Sequence, residues 1–204
     1  MPNHITTRVS GPAGIVDALT RRHTEAESVA HDEAEADRKQ FLVENERADT
    51  YVYSPLDMDK LFIDFSMLVQ QPENIETGSC SDSHEQGVIC WYSWNIANWG
   101  TKWNGYKFDI EQVDDDVAQL RFDTAWSHPF PIVKALSEKF SDVLIEVSFA
   151  DENLGYNLGQ YMIKAGETIQ ETSFIPGSDD ACEFASQLKY GQSYAQLKSE
   201  WGED

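Results

Sequence analysis

The sequence predicts an α+β fold in which an antiparallel sheet carries helices on one face. Apolar and polar residues alternate through YKFDIE and VAQLRFDT on either side of VDDD, which predicts a β-hairpin with one face on a core. Residues with helical spacing stand before this hairpin, in GIVDALT, and after it, in HPFPIVKALSEKF. The strand-like runs ITTRVSG and VLIEVSFA lie at the two ends of this set. We therefore expect the order strand, helix, hairpin, helix, strand.

The first strand and helix have clear boundary signals. Gly11 and Pro12 interrupt ITTRVSG and precede a helix in which Ile15, Leu19 and His23 share one face at steps of four. This spacing predicts that the helix lies on the sheet.

The second helix begins close to two prolines. Pro129 and Pro131 stand where a first helical turn tolerates them, and Ser127 can act as the cap. Its apolar residues fall on one stripe: Ile132, Val133, Leu136 and Phe140. The stripe predicts burial against the sheet.

The C-terminal third continues with a second hairpin and a helix. GYNLGQYMIKAGETIQETSF predicts a hairpin that turns at residues 164–166, and Ser178 predicts a helix that stops at Gly191. The whole order is that of a split βαβ, the ferredoxin-like α+β sandwich. We assign residues 1–175 to this domain, with an acidic insertion at about 24–50, and residues 176–204 to a helical C-terminal extension.

The charge is strongly acidic and bears on partners. Fifteen basic residues against 36 acidic ones give a formal net charge of −21, which disfavours direct binding to nucleic acid or to anionic lipid. Residues 24–49 predict either a solvated helix or a mobile insertion. The clusters at 31–37 and 114–116 are compatible with a solvated surface and with a carboxylate mimic of DNA. No apolar run is long enough to span a membrane.

Four of the six tryptophans lie between Trp91 and Trp103. This stretch predicts a largely covered helix that ends at Gly100. Rigid aromatic rings beside hydrogen-bonding side chains also suit a recognition surface. The candidate binding patch comprises Asn98, Trp99, Thr101, Lys102, Trp103, Asn104, Asp123, Thr124 and Trp126. The alternative is that most of these tryptophans form the floor of the sheet; we expect Trp94 to be core and Trp103 to be accessible.

Five stretches of the chain form a distinctive series: MPNHITTRVSG, IDFSMLVQQPENI, WNIANWGTKWNGYKFD, FDTAWSHPFPIVKALSEKF and VSFADENLGYNLGQYMIKAGE. In this order they resemble the YubB-like family of phage and plasmid proteins with a ferredoxin-like domain. The resemblance implies the ferredoxin-like fold and a phage or plasmid context. His128 departs from it, because the family has a proline there, and residues 176–204 lie outside it.

The motifs of catalysis and metal binding are weak. His4 and His128 could serve as bases beside Asp123, but the chain has no nucleophile elbow, zinc-protease motif or phosphate loop. Cys80, His84 and Cys90 lack the paired spacing of a zinc site. We therefore expect no enzyme activity, no metal and no cofactor.

The sequence thus predicts a cytoplasmic, non-enzymatic accessory protein of a phage or plasmid. Three cysteines without an export signal predict reduced thiols. We expect protein–protein contact with a host protein, and one form of it is inhibition of a basic or nucleic-acid-binding partner. Recognition of a small ligand or nucleotide by the candidate patch is the alternative.

Overall fold

A computed structural model describes residues 3–76, 89–114 and 116–202. The chain divides into two compact units, residues 1–19 with 63–204, and residues 20–62. Within the described residues the strands and α-helices are, in chain order, β1 (His4–Pro12), α1 (Ile15–Leu19), β2 (Thr20–Arg21), α2 (Glu25–Glu44), β3 (Phe62–Ile63), β4 (Ile75–Glu76), β5 (Ile89–Cys90), α3 (Trp91–Asn98), β6 (Tyr106–Val113), β7 (Val117–Ala125), α4 (Phe130–Lys139), β8 (Ile145–Asp151), β9 (Leu158–Lys164), β10 (Glu167–Thr172), α5 (Asp179–Tyr190) and α6 (Tyr194–Trp201).

The first unit is built on one six-stranded sheet. Its strand order is β10-β9-β8-β1-β7-β6, and every neighbouring pair is antiparallel. Val9 of the central strand lies opposite Leu120 and Val147, and these three side chains join Ile132 and Leu136 of α4 in the main core. The prediction of an α+β fold with a large antiparallel sheet is confirmed.

A helix also packs on the second face of the sheet, contrary to the prediction of helices on one face. Successive residues of a strand point to opposite faces. Thr7 of β1 is hydrogen-bonded to His128, just before α4. Its neighbour Thr6 accepts a hydrogen bond from Lys189 of α5. Small residues allow this close approach, because Ala150 of β8 packs with Ala185 of α5.

Both predicted hairpins are present, with differences at the element ends. β6 and β7 flank the VDDD turn, whose Asp115 lies outside the described residues. β9 and β10 turn at residues 165–166 as expected. Ser178 caps α5 through the Ala181 amide, and Gly191 ends it with a positive φ of 68°. The extension then continues into α6, which the sequence reasoning missed.

Two helix boundaries differ from the predictions. Ser127 does not cap α4; its hydroxyl donates to the Gly100 carbonyl, and Pro129 holds the cap position. His23 does not lie on α1, because that helix ends at Leu19. Its ring stacks on Phe62 at 4.2 Å instead.

Helix α3 ends where the sequence predicted but is not largely covered. Its C-cap is Trp99, and Gly100 follows with a φ of 77°. Of its residues only Asn95 is buried, and Ile96 is 43% exposed. The covered-helix prediction is therefore wrong, because aromatic content alone does not fix how a short helix packs.

The second unit contains the acidic helix α2. A capping box between Thr24 and Glu27 starts it, and Leu42 is the one buried residue among its twenty. Arg21 pairs with Glu27 at 2.5 Å. Of the two alternatives for the insertion, the structure therefore has the solvated helix.

The two edge strands of the large sheet are irregular. All six residues of β10 are exposed, and its pairing with β9 shifts register between Thr168 and Gln170. On the opposite edge, the pairing of β6 with β7 shifts between Tyr106 and Asp109 and again between Ile110 and Gln112. Such bulges bend and twist an edge strand.

Candidate functional site

Three aromatic rings surround one lysine beyond the C-terminal end of α3. The Lys102 ammonium nitrogen lies 4.5 Å from the centre of the Trp103 ring, 4.8 Å from that of Trp126 and 5.7 Å from that of Tyr92. These distances are within the range of cation–π attraction. We call Tyr92, Lys102, Trp103 and Trp126 the Lys102 cluster.

The Lys102 cluster remains open to solvent. Trp103 is 38% exposed and Trp126 is 44% exposed. Tryptophan is large and mostly apolar, so this exposure leaves part of the free energy available from burial unused. The two rings therefore offer contact area for another molecule.

The backbone at Trp126 is held in a conformation that a bulky residue rarely adopts. Its φ is 70°, in the left-handed region, which costs about 1–3 kcal/mol unless the surroundings impose it. The Trp126 amide donates to the Asn3 carbonyl at 2.8 Å. The Thr101 and Thr124 hydroxyls donate to the Ala125 and Ser127 carbonyls, each at 2.8 Å. These bonds fix the turn that presents the ring outward.

Gly100 completes the support from the other side. A side chain there would lie 2.7 Å from the Pro131 ring, and φ is positive. The closeness of residue 100 to the start of α4 thus depends on glycine.

Other members of the predicted patch serve the interior. Trp99 is 4% exposed and donates from its indole to the Val69 carbonyl at 2.8 Å. Asn104 accepts from the Phe65 amide at 2.9 Å, and Asn98 donates to the Trp94 carbonyl at 2.9 Å. Trp99 and Asn104 thus support the interior, whereas the half-buried Asn98 is hydrogen-bonded within α3.

Trp94 lies where the sequence predicted, whereas Asp123 does not join the other residues of the predicted patch. Trp94 is partly buried and packs on the core, with its ring edge-on to Trp99 at 5.7 Å. Asp123 is not part of the Lys102 cluster: it accepts from Thr6 at 2.7 Å and pairs with Lys107 at 3.1 Å. Sequence reasoning missed Tyr92, although it stands within the same tryptophan-rich stretch.

His128, one of the two histidines considered as bases, lies among neutral groups. His128 is hydrogen-bonded to the hydroxyls of Thr7 at 3.1 Å and Tyr161 at 2.6 Å, and it stacks on Phe149 at 4.5 Å. Burial lowers the pKa of His128 to about 3 and raises that of Tyr161. His128 is thus a neutral packing residue. Its Thr7 contact puts it on the sheet face opposite Asp123.

The cysteines give no metal site within the described part of the chain. Cys90 is disulfide-bonded, so the expectation of reduced thiols is wrong for this residue. Cys182 is a buried free thiol. Cys80 and His84 lie outside the described residues, among which no group of three potential metal ligands occurs. No described helix is both long and apolar enough to cross a bilayer.

Comparison with known proteins gives a partial match. A family model described as "Ferredoxin-like domain in Api92-like protein" matches residues 99–190. The crystal structure of a protein Api92 from Yersinia pseudotuberculosis is similar over 46% of this chain, with 17% identity and a TM-score of 0.39. The matched part spans 33% of that protein's length. No curated protein matches the chain.

Proposed function

We propose that this protein works by protein–protein contact through the Lys102 cluster, as a non-enzymatic accessory protein of a phage or plasmid. The observation that carries the proposal is the pair of half-exposed tryptophans around a lysine, one of them on a strained backbone. Backbone strain that burial does not repay is typical of functional positions. Tryptophan and tyrosine are also the residues that most often dominate binding energy at interfaces.

The charge of the whole protein favours a basic partner. The net charge of −21 attracts a basic surface over longer distances, and the exposed parts of Trp103 and Trp126 offer apolar contact area at short range. We therefore propose a basic host protein as the partner, approached by charge and held by aromatic contact.

The DNA-mimic form of this function has weaker support. Helix α2 carries seven carboxylates, at 25, 27, 32, 33, 35, 37 and 44, over twenty residues. At 1.5 Å per residue the helix is about 30 Å long, and duplex DNA of that length carries about 18 charges. Arg21 and Arg38 already pair with Glu27 and Glu35. The helix thus has well under half the charge density of duplex DNA.

The small-ligand alternative has also lost three of its polar groups. The side chains of Asn98 and Asn104 are hydrogen-bonded to backbone groups of the protein itself. Thr101 is buried and bonded to the Ala125 carbonyl. The patch therefore offers aromatic rings and one lysine, which suit a protein surface better than a nucleotide.

Two further parts of the proposal concern fold and compartment. The order β8-β1-β7-β6, with α1 and α4 as crossovers, supports a ferredoxin-like split βαβ core. The proposed compartment is the host cytoplasm, although a disulfide at Cys90 is more typical of oxidising compartments. Fractionation of host cells decides this, because recovery of the protein outside the cytoplasmic fraction would contradict the proposal.

The test is capture of a host partner by wild-type and variant protein. We expect Trp126→Ala and Trp103→Ala to lose the partner while remaining folded. Trp201→Ala is the matched control, because Trp201 is also exposed, at 51%, but lies on α6. Equal capture by all three variants would contradict the proposal.

The salt dependence of partner binding distinguishes a carboxylate mimic from an aromatic contact. Exposed charges are screened over about 8 Å at physiological salt, so a carboxylate mimic should release its partner between about 50 and about 500 mM salt. An aromatic contact should retain most of its partner over this range.

A further inference from the structure

A cleft lies on the sheet face that α5 covers. It has a volume of about 220 Å³ and lies between β1, β6, β7 and the C-terminal end of α5. Basic residues are 15 of the 204 in the chain. Three of the eight residues that line this cleft are basic: Lys107, Arg121 and Lys189. This concentration is unusual in a protein with a net charge of −21.

Lys107 reaches the cleft because β6 is irregular there. Its φ is 49°, and the pairing of β6 with β7 shifts register just after Tyr106. In a regular strand, consecutive side chains point to opposite faces. Here the Tyr106 hydroxyl is hydrogen-bonded to His4 at 2.7 Å, while Lys107 pairs with Asp123 at 3.1 Å. The bulge thus turns an additional cation towards the cleft.

Lys189 places a partly buried charge at the other side of the cleft. Its ammonium donates to the His4 carbonyl at 3.2 Å, the Thr6 hydroxyl at 3.1 Å and the Ala150 carbonyl at 3.5 Å. All three acceptors are neutral, and among the described residues no carboxylate lies within ion-pair distance of it. Desolvation lowers the pKa of Lys189, and the more distant carboxylates of Asp123, Asp151 and Glu152 oppose this.

Arg121 completes the set and is only loosely neutralised. One guanidinium nitrogen donates to the Lys189 carbonyl at 2.5 Å. Its Nε lies 3.9 Å from Glu111, whose carboxylate already binds Arg8 at 2.5 Å. The Nε is buried and makes no hydrogen bond, whereas the side chain as a whole is 34% exposed. Two carboxylates, Asp123 and Glu152, also line the cleft, so its three cations leave the lining with a net positive charge.

We infer that this cleft binds a small oxyanion, the phosphate or carboxylate group of a small molecule. Lys107 and Arg121 are the direct ligands, because both side chains are partly exposed and a cationic group binds an oxyanion through charge-assisted hydrogen bonds. Lys189 is a positioning residue, since its three donors are occupied and it contributes through its charge. The inference does not depend on the Lys102 cluster.

The probe is inorganic phosphate, titrated into the full chain and followed by ¹H–¹⁵N NMR. We expect saturable shifts at His4, Thr6 and Lys107. Acetate, titrated in parallel, distinguishes the sources: saturation by phosphate alone assigns a phosphate group, and saturation by both admits a carboxylate. Saturation by neither anion would overturn the inference.

Two variants and one control make the test specific. Lys107→Gly removes the charge and suits the positive φ, so the fold should persist while affinity falls about tenfold. Arg121→Gln should weaken binding by a similar factor. Lys134→Gln, on the exposed surface of α4 beside Glu138, should bind like the wild type. Variants at 107 and 121 that bind phosphate as well as this control would also overturn the inference.

Discussion

Trp126 and Lys107 share a backbone property that their sequence neighbours do not reveal. Both have positive φ, at 70° and 49°, although large side chains disfavour this region. The Trp126 ring lies beside the Lys102 ammonium, and the Lys107 ammonium pairs with the Asp123 carboxylate. Strain at the single-residue scale thus coincides with both candidate sites.

The six tryptophans show the limit of sequence reasoning at this scale. Trp103 was predicted to be accessible, and it is. The sequence could not show that Trp99 is buried and Trp126 exposed, because the exposure of each ring depends on contacts with residues that are distant in the chain. Trp99 is covered by Val69 and Phe65, while the turn of Trp126 depends on Asn3.

His128 makes stability depend on pH in a defined window. Its pKa is about 3 in the folded protein against 6.5 ordinarily, so the unfolded chain binds a proton first as the pH falls. The contribution of His128 to the free energy of unfolding is therefore fully present above about pH 6.5. Below that pH it decreases, by up to about 1.4 kcal/mol per pH unit. Urea unfolding from about pH 7 to about pH 5 measures the slope.

A substituted protein provides the control for this slope. His128→Phe keeps a ring against Phe149 but cannot titrate. Its overall stability should fall, because Thr7 and Tyr161 lose a partner, yet its stability should vary less with pH. An unchanged slope would mean that His128 is not the group responsible.

At the scale of elements, local patterns predicted most of the first unit. The alternation in β6 and β7, the apolar stripe of α4 and the Ser178 and Gly191 signals of α5 each depend on a few adjacent residues. Helix α6 was missed although a capping box at Ser193 starts it. The position of α5 could not be predicted, because its contact with β1 joins residues about 180 positions apart.

Helix α2 should depend strongly on its cap. Only Leu42 is buried, so tertiary packing contributes little and local terms decide helicity. Thr24→Ala removes the acceptor of the Glu27 amide and should cost about 1 kcal/mol of helix stability. Hydrogen exchange should then be faster in the first turn.

The control for Thr24→Ala is a substitution one turn later in the helix. Ser28→Ala lies in the same helix but outside the capping box, and alanine favours helices. It should leave exchange in the first turn unchanged or slower. The role of the cap would be contradicted if exchange were faster in Ser28→Ala, or if exchange in Thr24→Ala were no faster than in the wild type.

At the scale of the whole molecule, charge should limit stability. A net charge of −21 repels itself in the compact state. Raising salt from about 20 to about 300 mM screens this repulsion and should raise the Tm by about 2–4 °C, equivalent to about 1 kcal/mol. Differential scanning calorimetry measures the shift.

Neutralising part of the charge should reduce the effect of salt. Glu33→Gln with Asp37→Asn removes two exposed carboxylates from α2. Their combined variant should show a smaller rise of Tm than the wild type. A Tm that falls with salt in both proteins would contradict self-repulsion.

The irregular edges of the large sheet have a consequence for assembly. An exposed edge strand is a template on which another chain can add a strand, and this is one route to aggregation. Here β10 carries Glu167 and Glu171 beside its register shift, and β6 is bulged twice. Both ends of the sheet thus resist extension by backbone pairing with another chain.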